Sequence, residues 1–195
     1  NHHKPGAVEG LRLLADAKEC AEVLIRPLES LDGVKTLTYI MGNHEAWVQQ
    51  LVDQLPALEG IVDVKALLGL DNWKVVPQGG VHTLGKLNFI HGDQIKGGEH
   101  AAKAAVVAYE KSIRFGHFHT YAVYTKTSPL DEKQPKSGVA YPCLCKKDPK
   151  YGKGAPNRWT QGFAYGYVDK GGLYNDYVAI ISDGKATIHG TRYVG

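Results

Sequence analysis

Apolar positions Val8, Leu11, Leu14, Ala21 and Leu24 recur every three or four residues, the period of an amphipathic helix over Val8–Arg26. Pro27 is expected to kink or end it. The run Thr36–Met41, TLTYIM, is apolar and β-prone, follows a turn signal at Gly33 and stops at Gly42, so it predicts a buried strand. Glu45–Leu55 and Ile61–Leu70 predict two helices separated by Pro56 and Gly60. Strands follow at Trp73–Val76, Val81–Leu84 and Lys86–His91, with Gly79, Gly80 and Gly85 as turns. His100–Glu110 is alanine-rich and reads as a helix, after which Ser112–Phe115 forms a strand leading into Gly-His-Phe-His. The remainder is β-like, with strands at Tyr121–Thr127, Gly162–Val168 and Tyr177–Ile181. The last is expected to pair with Ala186–His189 through Ser182-Asp183-Gly184. Helices and strands in this order predict an α/β fold without internal repeats.

Composition narrows the class. A length of 195 residues suits one domain, and 43% apolar with 22% charged residues is the balance of a soluble globular protein rather than a disordered, collagenous or disulfide-dense chain. No apolar run approaches the roughly 20 residues of a membrane-spanning helix and no signal-peptide pattern opens the chain, so a cytoplasmic location is expected. Three cysteines give no disulfide framework and favour a reducing interior. The first residue is Asn1 rather than methionine, so an upstream segment is expected. The net charge of +3 is unevenly placed, because Lys146, Lys147, Lys150, Lys153 and Arg158 oppose only Asp148 in one short stretch. Beside Tyr151 and Trp159, this stretch is either a DNA contact made through phosphates and stacking, or a solvated Gly/Pro-rich loop.

Three polar clusters break the apolar pattern, each directly after a predicted strand: Gly42-Asn43-His44-Glu45, His91-Gly92-Asp93 and Gly116-His117-Phe118-His119. Ligands of α/β sheets bind in the crevice outside the carboxyl ends of strands. Imidazole is the commonest transition-metal ligand, and an Asn amide oxygen is a harder companion that suits Mn, Fe or Zn in an open hydrolytic site. In an extended His117-Phe118-His119 segment both imidazoles would face one side. A lone histidine of this kind is more often a structural residue. Three clusters at successive strand ends argue for a site.

GNHE, then HG, then GHFH in this order resembles the calcineurin-like metallophosphoesterase superfamily, whose pattern is D-x-H, GD-x-x-D, GNH followed by an acid, His before Gly, and GH-x-H. Three of the five motifs are present, within residues 42–119. The resemblance implies an αββα sandwich of two mixed sheets flanked by helices, formed as a single domain. It also implies hydrolysis of phosphate mono- or diesters by a metal-bound hydroxide held between two divalent ions, most often manganese, with iron or zinc as alternatives. Asn43, His91 and His117 match ligands of the second metal, and His119 matches a late ligand of the first. His44 matches the histidine that assists the leaving group or stabilises the transition state, and Glu45 is expected to orient it. A helix opening near Pro5-Gly6 and the Arg158-Trp159 segment resemble phage or prophage members, which implies a host cytoplasm.

The first two motifs have no counterpart, so the chain reads as one lacking the N-terminal strands that carry two ligands of the first metal and the bridging carboxylate, and weakened metal binding with little or no hydrolysis by the 195-residue chain is expected. His2 and His3 are substitutes for them or a tag remnant. Asp93 reaches a metal-bound water or stabilises a turn, and Gly97, Gly98 and His100 bind phosphate at a helix start or merely cap it. His82 and His189 are expected in strands and read as structural or surface residues. Cys143 and Cys145 are expected to alternate across a strand, face opposite ways and remain buried thiols. The rivals to a phosphoesterase are a DNA exo- or endonuclease of the same superfamily and a non-catalytic remnant acting as a binding module. Substrate and oligomeric state have no sequence signal.

Overall fold

The computed structural model describes residues 13–147 and 157–195, with residues 131–134 described by their backbone alone. The first helical stretch runs α1 (Leu13–Cys20), a π-helical turn (Ala21–Ile25) and α2 (Arg26–Glu29) without a break. Pro27 therefore does not end the helix. Arg26 N–H bonds back to the carbonyl of Ala21, five residues earlier, and this wider turn directly ahead of Pro27 makes room for the ring and its missing donor. Strand β1 (Thr38–Ile40) leads through Gly42 into α3 (Asn43–Gln54). Helix α4 (Val64–Leu68) starts three residues later than the apolar pattern suggests, because Asp63 is its cap and accepts the Ala66 N–H at 2.8 Å. Strand β2 (Lys74–Val76) then pairs parallel with β1, Thr38 opposite Lys74. Ala17, Ile25, Leu68, Leu70 and Trp73 form the core of this first unit, and Trp73 donates its indole N–H to Glu29 at 2.9 Å.

The second unit comprises Gly79–Lys147 and the chain from 157 onward. Strands β3 (His82–Leu84), β4 (Leu87–Ile90), β5 (Ser112–Phe115), β6 (Ala122–Ser128) and β7 (Asp131–Ala140) form a mixed sheet in the order β3-β4-β5-β7-β6. The β4–β5 and β5–β7 pairs are parallel, and the outer two pairs are antiparallel. Helix α5 (Ala101–Tyr109) covers one face, where Ile90, Ile113, Phe115 and Ala140 meet Ala101 and Ala105. Gly138 of β7 has no alternative in this packing, since a Cβ there would run into the carbonyl of Ala102. Strands β8 (Gly162–Val168) and β9 (Tyr174–Ile180) form an antiparallel pair, and so do β10 (Lys185–Ile188) and β11 (Thr191–Val194). The chain is thus mixed α/β. No helix among the described residues is long and apolar enough to cross a membrane.

Two expected features differ. Strand β7 is rich in polar residues, Pro and Gly, and had no strand signal of its own. Its last three residues are nevertheless zipped between β5 and β6. Tyr177–Ile181 does not pair with Ala186–His189: the Asp183-Gly184 turn closes only a Ser182–Lys185 bridge. The partner of β10 is β11, joined through His189-Gly190 with φ of 49° and 79°, so His189 is a turn residue.

Every residue of β5 is buried, and its two faces are chemically unlike. Opposite the helix, Arg114 is only 2% exposed and is bound through Nε and Nη2 to both oxygens of Asp176 on β9, at 2.5 and 2.7 Å. Its Nη1 donates to the carbonyls of Ser137 and Ile113, Tyr141 donates to Asp176 at 2.8 Å, and Tyr174 donates to Ser112 at 2.6 Å. Burial alone would raise the Asp176 pKa, but the bonds from Arg114 and Tyr141 outweigh it and hold the carboxyl below its ordinary value. Arg114→Met is expected to destabilise the protein by about 2–4 kcal/mol, because it leaves a half-buried carboxylate without its cation. The stability contributed by the lowered Asp176 pKa is complete above the ordinary carboxyl pKa and is lost as pH falls through the folded value. Urea unfolding from about pH 6 to pH 2 should therefore show an acid limb in the wild type that Asp176→Asn flattens.

Candidate functional site

Because β4 and β5 run parallel with Ile90 opposite Phe115, the residues that follow them emerge at the same sheet end. These are His91 and Gly116-His117. The Gly116 N–H donates to the His91 carbonyl at 2.9 Å, and the imidazoles of His91 and His117 stand 5.2 Å apart, centre to centre, at 68°. Gly92 makes this approach possible. Its φ is +115°, and a Cβ there would lie 3.0 Å from the Phe115 ring and 3.4 Å from His117 Cβ. The turn closes when Ile95 N–H reaches the Gly92 carbonyl, and Ile95 enters the core. Both histidines are half-buried.

The GHFH segment is not extended. His117 and His119 both adopt left-handed backbone, at φ of 59° and 57°, and Phe118 N–H bonds back to the Gly116 carbonyl at 2.6 Å. Such angles are uncommon for residues with a Cβ and are retained only where surroundings fix them. Here Phe118 packs edge-on against Phe115, between the two histidines in sequence. His117 contacts His91, whereas His119 lies 4.5 Å from the Trp159 ring. The expected convergence of both imidazoles on one side gives way to two separate settings.

His119 instead meets the thiols. Cys143 is held by a bridge to Gln161: its N–H donates to the Thr160 carbonyl, and its carbonyl accepts from Gly162. Thr160 also donates to the His119 carbonyl at 2.8 Å, and Gln161 Nε2 to that of Cys145 at 2.9 Å. Residues 144–145 bend away from strand geometry, so the alternation expected of Cys143 and Cys145 fails. Their Sγ atoms are 3.1 Å apart, and Cys145 Sγ is 4.0 Å from His119 Nδ1. Burial, then the hydrogen bond to Cys143 and its charge, push the Cys145 thiol up to about 12. Among the described residues, His119, Cys143 and Cys145 are the only three His, Cys, Asp or Glu donors lying within 4.8 Å of one another. The C-x-C spacing was the signal; its geometry depends on a bend that neither residue encodes.

In the first unit, Gly42 is the cap of α3 and Asn43, His44 and Glu45 its first turn. Glu45 accepts the Gly42 N–H at 2.7 Å and the Tyr39 hydroxyl at 2.8 Å, so its oxygens anchor the helix start rather than orient His44. Burial, then the Glu45 charge, hold the Tyr39 phenol well above its usual pKa. Asn43 is half-buried, and His44 is exposed against Trp47 at 4.5 Å. His2, His3, Lys150, Lys153 and Tyr151 lie outside the described residues. Lys146 and Lys147 are exposed, while Arg158 is ion-paired with Glu99 of the Gly97-Gly98-Glu99-His100 turn. His82 sits on β3 with its ring 6.2 Å from Phe89.

Comparison of the chain with protein-family models, with curated proteins and with solved structures gives no match. The resemblance therefore rests on the motif residues themselves.

Gly92→Ala should lower stability by about 1–3 kcal/mol, the cost of a strained backbone conformation, and move the His91 and His117 imidazole signals together in a proton–nitrogen NMR spectrum. Glu45→Ala should cost about 0.5–2 kcal/mol through the lost cap, read as a lower urea midpoint.

Proposed function

We propose that this chain is a metal-dependent phosphoesterase domain of calcineurin-like type, an αββα sandwich of two mixed sheets flanked by helices that hydrolyses phosphate mono- or diesters. The observation that carries the reading is the His91–His117 pair at the carboxyl ends of neighbouring parallel strands, held there by Gly92. The donor set fits a divalent ion. With bonds of about 2.0–2.1 Å to imidazole nitrogen, two rings sharing one ion stand about 5 Å apart, close to the spacing of this pair. When bound, divalent ions of the manganese, iron or zinc type supply Lewis-acid neutralisation of the phosphate charge. His91 and His117 would hold the ion in neutral form and fix its position against the sheet end. The ligand role of Asn43 and the role of His44 at the leaving group or the transition state rest on the resemblance, while Gly42 and Glu45 are accounted for as a helix start.

The test is hydrolysis of bis(p-nitrophenyl) phosphate and p-nitrophenyl phosphate by the purified chain, with added manganese and after chelation. Because the first two motifs have no counterpart in this sequence, turnover should be low; what there is should depend on manganese and vanish on chelation. His91→Asn and His117→Asn should each lower it by at least about tenfold with the unfolding midpoint unchanged, and His44→Ala should lower turnover while sparing manganese binding. Absent manganese-dependent turnover, or undiminished turnover in both ligand variants, would overturn the reading.

A further inference from the structure

His119, Cys143 and Cys145 come from separate stretches of the second unit and reach one place because Thr160 and Gln161 lie between them. Thr160 binds the backbone of both His119 and Cys143, and Gln161 that of Cys145. We propose that these three side chains form a binding site for a single thiophilic divalent cation, zinc above others. Two thiolates and one imidazole are a soft donor set, which selects zinc and discriminates against manganese and magnesium. Two thiolates also neutralise the charge of a divalent ion, so the site needs no acidic residue. The donor atoms already lie within 4.8 Å of one another, as ligands of a tetrahedral ion must.

The surroundings match what such a centre requires. The three backbone bonds from Thr160 and Gln161 fix the ligand-bearing segments, and the Trp159 ring closes the side of His119 at 4.5 Å. Cys145 is exposed while His119 and Cys143 are half-buried, which gives the ion a path from solvent. Three protein ligands leave a fourth position for water or an exogenous group, the arrangement of open rather than purely structural zinc sites. Binding displaces the thiol protons. The site uses neither His91 nor His117, but it claims His119, which the resemblance assigns to the first metal of a phosphoesterase.

The experiment uses the full chain, reduced with a phosphine and stripped by a chelator, titrated with cobalt(II) without oxygen. One equivalent should produce the sulfur-to-cobalt charge-transfer absorption and the visible bands of tetrahedral cobalt, and zinc should abolish both. Cys143→Ser and Cys145→Ser should each weaken binding by at least about tenfold and diminish the charge-transfer band, His119→Ala should weaken it comparably, and His91→Asn should leave it unchanged. A second readout needs no variant: zinc should protect Cys143 and Cys145, but not Cys20, from alkylation. The proposal is overturned if reduced protein gives no charge-transfer band, if the serine variants bind as the wild type does, or if zinc leaves Cys143 and Cys145 as reactive as before. It is equally overturned if the two cysteines are isolated as a disulfide that binds no cobalt after reduction.

Discussion

The guanidinium of Arg114 sits in the middle of β5 with almost no access to water, and the second unit is arranged around satisfying it. Four hydrogen bonds leave it, two as a fork to Asp176 and two to the carbonyls of Ser137 and Ile113. A bidentate fork accepts a carboxylate in one orientation, so it fixes where β9 lies over β5. Tyr141 and Ser112 complete the same polar layer. The opposite face of β5 is apolar and closed by α5. A central strand covered on both faces cannot shift its register, because a slip of one residue would turn Arg114 towards the helix and Ile113 towards Asp176. The strand ends that carry His91 and His117 inherit that rigidity.

Elements were legible where hydrophobic period and punctuation agreed. Ser112–Phe115 was found from its apolar positions, although the same run hides a buried arginine whose partner lies 62 residues away. β7 was illegible because its position comes from its neighbours: Gly138 is there to admit the helix backbone, a requirement set by α5. For a related reason Pro27 does not end the helix, since a π turn absorbs what an α turn could not. The Asp183-Gly184 turn was correctly located, yet the strand pairing attached to it was not, because His189-Gly190 supplies a second turn of the same kind and captures β10.

The site divides along the same line. That His91 and His117 share a strand end follows from two apolar runs each ending in a glycine-flanked histidine, and the parallel pairing of β4 with β5 brings them together. What the sequence withheld was backbone angle. Left-handed turns at His117 and His119 send the two imidazoles to different neighbours, one to a histidine and one to a pair of thiols. The unit thereby places an imidazole pair at the sheet end and two thiols with an imidazole beside Trp159. Borderline and thiophilic ions are separated by ligand chemistry rather than by affinity alone.

At the sheet end between β4 and β5, His91 and His117 would hold the proposed divalent ion. Anomalous diffraction from crystals of the reduced protein soaked in manganese, recorded at the manganese edge, tests it without reference to any substrate. The expected result is a peak within bonding distance of both imidazoles, at about 2.0–2.3 Å from a nitrogen of each. A map with no peak there, or with manganese bound only elsewhere on the protein, would contradict it.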